Sequence, residues 1–552
     1  MIADLWYRNS VIYSLDVETF LDASGDGVGD FEGLVRRLDY LDALGVDTLW
    51  IAPFQPTPDR DDGYDISDFY GVDPRYGSSG DFVEFMREAR KRGMKVIIDL
   101  VLNHTSDRHR WFQEARRNEE SPRRDWYVWS EKRPPHWRKG TVFPGHQKGT
   151  WTYDKKAGAW YHHRFFEFQP DLNAANPAVR EEMHRILGYW LELGVAGCRI
   201  DAVPFIIELT TPKRAKAKQD FELLYGLRRF AQLRRGDSVL LGEANVPPGG
   251  QAKYFGPRGE GLQMMFNFWV NQHLFYALAS GDARPLADAL RATRRIPEGA
   301  QWAQFLRNHD ELDLGRLTEA QRQRVFDRFA PEERMQLYGR GIRRRLAPML
   351  GDRPHLELAY SLLFSLPGTP VIRYGDEIGM GDDLSLPQRD AVRTPMQWSD
   401  DPQAGFSTAR KLEHPIIADG SVWDYRRVNV EAQQRDPASL FSWTARMIRL
   451  RKECPEIGWG TWTTIATGFP DVLALRYDWR GNSIVVVHNF AEMPRSVRLR
   501  VGGDGGDRLV DLREEEESRA NASGVHRIAL DAFGYKWYRV GNLNYAVRRE
   551  RQ

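Results

Sequence analysis

The chain has 552 residues, too many for one compact core, so two or three domains are expected. Its 78 Lys and Arg against 77 Asp and Glu leave a formal net charge of +1, and no long-range field would draw in nucleic acid or an anionic membrane. Aromatic residues reach 12% with 18 Trp, a supply that suits either a Trp-rich core or a neutral ligand stacked on flat rings. Two distant cysteines, Cys198 and Cys454, give no disulfide framework and no metal-ligand spacing. The N-terminus lacks an apolar signal core and no run is long enough to cross a bilayer, so a cytoplasmic protein is expected.

Short β-rich runs alternate with helical patterns through three-quarters of the chain. Residues 11–17 read as the first strand, and 31–44 as a helix with Leu34, Leu38, Leu41 and Leu44 on one face, ended by Gly45. Residues 46–51 give a second strand, 81–91 a helix closed by Gly93, and 96–101 a third strand. From 105 to 172 the alternation stops in an irregular excursion rich in Trp, Tyr, Pro, Lys and Arg. It resumes with strands over 195–201, 238–241, 264–268, 304–306 and 371–374, which completes eight. Strand-helix alternation implies a parallel sheet, and eight repeats imply a (β/α)8 barrel. Beyond about 465, alternating runs such as 472–477 and 483–487 around the turn Arg480-Gly481-Asn482 predict an antiparallel β-sandwich. The acidic run 514–517 reads as a solvated face.

Three acidic residues stand at or just past the ends of predicted strands: Asp201 in Gly197-Cys198-Arg199-Ile200-Asp201-Ala202, Glu243 in Gly242-Glu243-Ala244-Asn245, and Asp310 in Asn308-His309-Asp310. Strand C-terminal ends of such a barrel converge on one pocket. A pair of carboxyl groups there is what glycosidic-bond chemistry requires: one to attack or stabilise, one to give and take a proton.

These motifs, preceded by Asp99-Leu100-Val101-Leu102-Asn103-His104, resemble in order the four motifs of glycoside hydrolase family 13, the α-amylase family. The resemblance spans nearly the whole chain. It implies a (β/α)8 barrel over 1–104 and 173–460, an inserted domain B over 105–172 after the third strand, and a C-terminal β domain over 461–552. It also implies that Asp201 is the nucleophile, Glu243 the acid/base and Asp310 the group that fixes sugar hydroxyls. In a retaining mechanism the first two carboxyl groups lie roughly 5–5.5 Å apart. Arg199, two residues before Asp201, points to the same side of the strand and is expected to keep it ionised, while a less polar setting keeps Glu243 protonated. His104 and His309 are implied donors to sugar hydroxyls.

Gln169-Pro170-Asp171-Leu172-Asn173 is similar to the stretch that marks the oligo-1,6-glucosidase branch, whose members act on small α-glucosides. Asp61-Asp62-Gly63-Tyr64-Asp65 and Arg393-Thr394-Pro395-Met396-Gln397-Trp398 resemble that branch too. They imply that Asp61 pairs with Arg393 at the pocket's blind end, with Tyr64 stacking on the glucose. Asp22, Ser24, Asp26, Val28 and Asp30, at alternating positions around glycines, fit a calcium loop. Asn103, Asp171, Glu208 and the carbonyls of Phe205 and Ile206 match a second family calcium position. Calcium would be structural at both.

Other stretches, among them 305–312, 341–348 and 374–382, resemble the trehalose-synthase group, which interconverts maltose and trehalose. Phe168, Arg373 and the basic stretch 213–218 depart from that group's pattern. The expected activity is therefore an α-glucosyl isomerase or transferase acting on small α-glucosides. The alternatives are a hydrolytic α-glucosidase with the same machinery, or a non-catalytic relative used for binding. No nucleic-acid or membrane partner is expected, and a homo-oligomer is compatible with the sequence.

Overall fold

Eight parallel strands close into a barrel in which each strand lies beside its sequence neighbours and the first joins the last. They are β1 (Ile12–Leu15), β2 (Thr48–Ile51), β3 (Lys95–Leu100), β4 (Gly197–Ile200), β5 (Val239–Gly242), β6 (Met264–Phe266), β7 (Gln301–Phe305) and β8 (Thr369–Arg373). The computed structural model describes residues 3–541 apart from 504 and 515. Ile12 pairs with Thr48 on one side and Val371 on the other, which closes the ring.

The strands read as continuous apolar runs because both their faces are buried. Trp50, Ile97, Leu241, Phe266, Phe305 and Val371 fill the barrel, while Leu49, Ile51, Ile98 and Leu240 pack outward under the helices. Each such fully buried aliphatic side chain contributes roughly 1.5–3 kcal/mol. Gly197 opens β4 because a Cβ there would lie 2.0 Å from the carbonyl oxygen of Val239 on β5.

Several element boundaries differ from those predicted. Strands seven and eight start two to three residues earlier than expected, at Gln301 and Thr369. The predicted helix over 31–44 is two helices, Phe31–Arg36 and Leu38–Leu44, broken at Arg37, whose guanidinium lies 4.1 Å from the Trp398 ring centroid. Asp30 caps the first by accepting the Gly33 amide, and left-handed Gly45 ends the second.

The excursion after β3 carries its own structure: a helix over Arg110–Arg117 and a small antiparallel sheet of Trp129–Ser130, Ala159–His162 and Trp151–Asp154. It returns through bridges joining His104 to Asp171 and Tyr127 to Leu172, beside the end of β3.

Past the barrel follow β9 (Thr461–Thr464), β10 (Val472–Trp479), β11 (Asn482–Asn489), β12 (Arg495–Leu499), β13 (Arg508–Asp511), β14 (Glu517–Arg519), β15 (His526–Leu530) and β16 (Tyr535–Val540). Six form one antiparallel sheet, and β12 with β15 a second. Val485 and Val487 from the first and Val497, Leu499 and Ile528 from the second share one core, so the sheets pack face to face. Arg480 and Gly481, both at positive φ, make the two-residue turn between β10 and β11. Among the described residues no helix is long and apolar enough to cross a membrane.

Candidate active site

The motif carboxylates follow β4, β5 and β7 at their C-terminal ends, with Asp61 and Tyr64 in the loop after β2 and His104 just past β3. Asp61, Tyr64, His104, Asp201, Glu243, His309 and Asp310 line one cavity of about 380 Å³. Arg199 and Arg393, both buried, sit behind that lining.

One guanidinium organises the centre. Arg199 Nη1 lies 2.5 Å from Asp99 Oδ1 and 2.7 Å from Asp201 Oδ1, and its Nη2 lies 2.8 Å from Glu243 Oε2. Arg199, expected beside Asp201, thus touches three carboxyl groups. Asp99, on β3, also accepts the Trp50 indole N–H at 3.0 Å. Ala202, left-handed at φ 50°, donates its backbone N–H to Glu243 Oε2 at 3.1 Å. A non-glycine residue in that conformation costs of order 1 kcal/mol or more and is held by its surroundings.

Burial pushes both key carboxyl groups up. Asp201 rises to about 6 despite Arg199, and Glu243 to about 7, with Arg199 opposing and Asp201 and Asp310 reinforcing. Asp310 goes the other way: burial would raise it, but His309, Arg389, Arg393 and Arg199 outweigh that and hold it well below the usual range. Glu243 thus titrates above Asp201, the order that places a proton-carrying glutamate beside an ionised nucleophile, while Asp310 stays ionised as an acceptor for hydroxyls.

The predicted Asp61–Arg393 pair is not formed. Arg389 takes that place, 2.9 Å from Asp61, and its other nitrogen bonds Asp310. Arg393 instead pairs with Asp62 at 2.8 Å and lies 3.2 Å from Asp310. Arg389 is the second residue of the 3-10 turn Gln388–Val392 and Arg393 caps its end, so the two arginines, four residues apart, take separate partners. Gln169 also donates to Asp61, at 2.8 Å.

Tyr64 stacks on His309, ring centroids 5.4 Å apart at 14°, and its hydroxyl hydrogen-bonds His309 Nε2 at 2.9 Å. His104 Nε2 lies 3.0 Å from the Tyr64 carbonyl, and its Nδ1 lies 3.2 Å from Asn103 Nδ2, so both ring nitrogens have protein partners. Asp99, Arg389, Glu311, Asn245, Arg340 and Phe143 were not singled out from the sequence, although Asp99 opens a quoted motif and Arg389 lies one turn from Arg393.

The departures from the trehalose-synthase pattern are also placed. Arg373 is buried against Asp16 and Tyr374. The Arg60 guanidinium stacks 4.3 Å over Phe168. The basic stretch runs into a short hairpin, Glu208–Leu209 with Lys218–Gln219, whose Gln219 lines the cavity.

The sequence matches the family described as "Alpha amylase, catalytic domain" over residues 14–335 and 343–460. The chain belongs to the α-amylase family. A "Sucrose hydrolase-like, C-terminal domain" matches residues 481–539. It is similar to trehalose synthase of Thermus thermophilus, 43% identical over 96% of this chain and 55% of that protein. It is also similar to the trehalose synthase/amylase TreS of Mycolicibacterium smegmatis, 40% identical over 97% and 92%. Among solved structures, trehalose-6-phosphate hydrolase TreA of Bacillus licheniformis superposes with a TM-score of 0.79 at 26% identity, over 97% of this chain and all of that one.

The family resemblance also implies calcium, and the side chains expected to hold it have protein partners of their own at both positions. Asp22 accepts the amides of Gly25 and Gly27 and the Ser24 hydroxyl at 2.7–3.0 Å; Asp26 accepts the Val28 amide at 2.9 Å. Asp30 accepts the amides of Ala23, Ser24 and Gly33. Among the described residues the carboxylates of this loop do not converge, and the one acidic trio that does is Asp511, Glu514 and Glu516, bridged by Lys536. At the second position Asp171 accepts Asn103 Nδ2 at 3.0 Å and faces His162 at 3.0 Å, while Glu208 pairs with Arg164. Phe205 and Ile206 lie in the helical turn Val203–Ile206, where the Phe205 carbonyl accepts the Ile207 amide and the Phe205 ring packs edge-on against Phe165.

Proposed function

We propose that the chain is a retaining α-glucosyl-transferring enzyme of the trehalose-synthase type, acting on small α-glucosides such as maltose. The observation that carries this reading is Arg199 held between Asp201 and Glu243 at the open cavity, with the Asp61–Arg389 pair at its far end. Glu243, protonated, gives its proton to the glycosidic oxygen as the Asp201 carboxylate attacks the anomeric carbon. The C1–oxygen bond breaks, the first glucose leaves, and a β-glucosyl ester remains on Asp201. The ionised Glu243 then takes the proton of the released sugar's 1-hydroxyl, whose oxygen attacks C1 and frees Asp201. Two inversions leave the α configuration, and α,α-linked product results.

Asp310, kept ionised by Arg389 and Arg393, accepts hydrogen bonds from the sugar's hydroxyls, and the Asp61–Arg389 pair blocks extension beyond one glucose. Two carboxyl groups supply both displacements, so any bound cation has only a structural part. Unpaired, buried Cys198 and Cys454 suit a reducing compartment, and we place the enzyme in the cytoplasm.

Water in place of the sugar would make the same site an α-glucosidase. Product analysis after incubation with maltose separates the two: trehalose supports isomerisation, and glucose alone supports hydrolysis. Neither product would overturn the catalytic reading altogether.

A further inference from the structure

Different arginines hold the side chain and the main chain of Asp310. Its carboxylate bonds Arg389 and Arg393 beside the cavity. Its backbone carbonyl accepts Arg307 Nη2 at 2.8 Å. Arg307, two residues past β7, is only 3% exposed and does not line the cavity. Its Nε donates to the Arg344 carbonyl, also at 2.8 Å. The segments so joined are the two that pair as a short antiparallel ladder, with Leu312 opposite Ile342 and Asp313 opposite Gly341. Arg393 Nε donates to the neighbouring His309 carbonyl at 2.9 Å, so two consecutive carbonyls of this turn are each tied to a guanidinium.

An arginine is a costly choice for this position. Both of its acceptors are neutral carbonyls, and its buried Nη1 has no hydrogen-bond partner among the described residues. Asp376, the acid that acts on it most, is paired instead with Arg345 at 3.4 Å. Burial lowers Arg307 to about 10, so it stays charged at neutral pH. A well-packed apolar side chain in such a place is commonly neutral or better for stability. Packing therefore gives no reason for a guanidinium here. Two donors in a rigid fork, each aimed at a main-chain carbonyl, do.

A group that accepts hydrogen bonds from a sugar works only when held within about 0.5 Å of its productive place. We propose that Arg307 is a positioning residue for Asp310: by donating to the carbonyls of Asp310 and Arg344 it fixes the turn that presents the Asp310 carboxylate to the sugar's hydroxyls. Arg307 touches no substrate and acts through Asp310 alone. The proposal rests on the α-glucoside reading above, which gives Asp310 its hydroxyls to bind.

Calorimetric titration of the full chain with 1-deoxynojirimycin, an iminosugar with the hydroxyl pattern of glucose, tests this without turnover. Arg307→Met should bind it roughly tenfold more weakly than the unaltered protein, at an equal or higher melting temperature. Asp310→Ala should also bind more weakly, and adding Arg307→Met to it should cost less than about twofold further. An arginine that only supports the fold would cost the same in both backgrounds. Undiminished affinity in Arg307→Met, or equal losses with and without Asp310, would overturn the proposal. If Arg307→Met does not fold, Arg307→Lys decides. It keeps the charge but reaches one carbonyl, so affinity should fall roughly fivefold, and undiminished affinity would again overturn the proposal. No binding by the unaltered chain would overturn the α-glucoside reading and this proposal with it.

Discussion

Arg389 and Asp61 meet at 2.9 Å across the far end of the cavity, joining the loop after β8 to the loop after β2. The same guanidinium bonds Asp310, so the blind end and the carboxylate after β7 are held as one unit. Removing one partner from a buried pair of this kind costs about 3–5 kcal/mol.

Arg389→Ala and Asp61→Ala are accordingly expected to lower kcat/KM for maltose by about two to three orders of magnitude. Arg389→Lys should fail to restore it, because one ammonium cannot reach both carboxylates as the planar fork does. Steady-state kinetics checks this, and near-normal kcat/KM in Arg389→Lys would remove the pair from the account.

The pH profile should be a narrow bell. Activity requires Asp201 ionised, so it is lost as pH falls through about 6; it requires Glu243 protonated, so it is lost as pH rises through about 7. Each limb reports the interacting pair rather than one residue. Glu243→Gln should abolish the alkaline limb along with most turnover in kcat/KM profiles measured from pH 4 to 9.

Glu377 predicts a pH effect on stability rather than activity. It is buried, accepts the hydroxyls of Tyr13 at 2.6 Å and Tyr40 at 2.5 Å, and burial pushes it to about 7 from 4.5. A carboxyl whose folded pKa is raised gives stability that is whole below the unfolded pKa and is lost as pH rises through the folded one. Glu377→Gln keeps the acceptor oxygen without the charge. Its melting temperature should therefore fall less than that of the unaltered protein between pH 5 and 8, with scanning calorimetry as the measure.

Phe143 of the inserted domain meets Tyr338 with ring centroids 5.1 Å apart, and Arg340 donates to the Val142 carbonyl at 3.0 Å. Tyr338, at φ 56°, also bonds Gln388 at 3.0 Å. These contacts tie the inserted domain to the barrel at residues lining the cavity, where keeping water out protects the ester. Tyr338→Ala should raise the proportion of free glucose among the products severalfold while maltose is still consumed. An unchanged product ratio by chromatography would show that the contact does not guard the ester.

Much of this site is legible in the sequence because the barrel converts strand position into spatial convergence. Asp201, Glu243 and Asp310 each follow an apolar run, and the closed sheet leaves their side chains no other place to meet. What lies in irregular chain is not legible in that way. Arg389 and Arg393 are alike in charge and one turn apart, and only the path of the loop after β8 decides which faces Asp61. Phe143 and Tyr338 are separated by nearly two hundred residues, with no periodic pattern to pair them. The loop from Asp22 to Asp30 spells a metal-binding pattern, and spacing alone does not encode which backbone amides its carboxylates accept.

The central claim is a glucosyl ester on Asp201, and trapping it is the most direct test. The full-length protein is treated with 5-fluoro-α-glucosyl fluoride, which slows breakdown of the ester, and its peptides are analysed by mass spectrometry. The account predicts a single fluoroglucosyl adduct on the peptide carrying Asp201, absent in Asp201→Asn. An adduct on Glu243 or Asp310, or turnover of the reagent by Asp201→Asn at the unaltered rate, would contradict it.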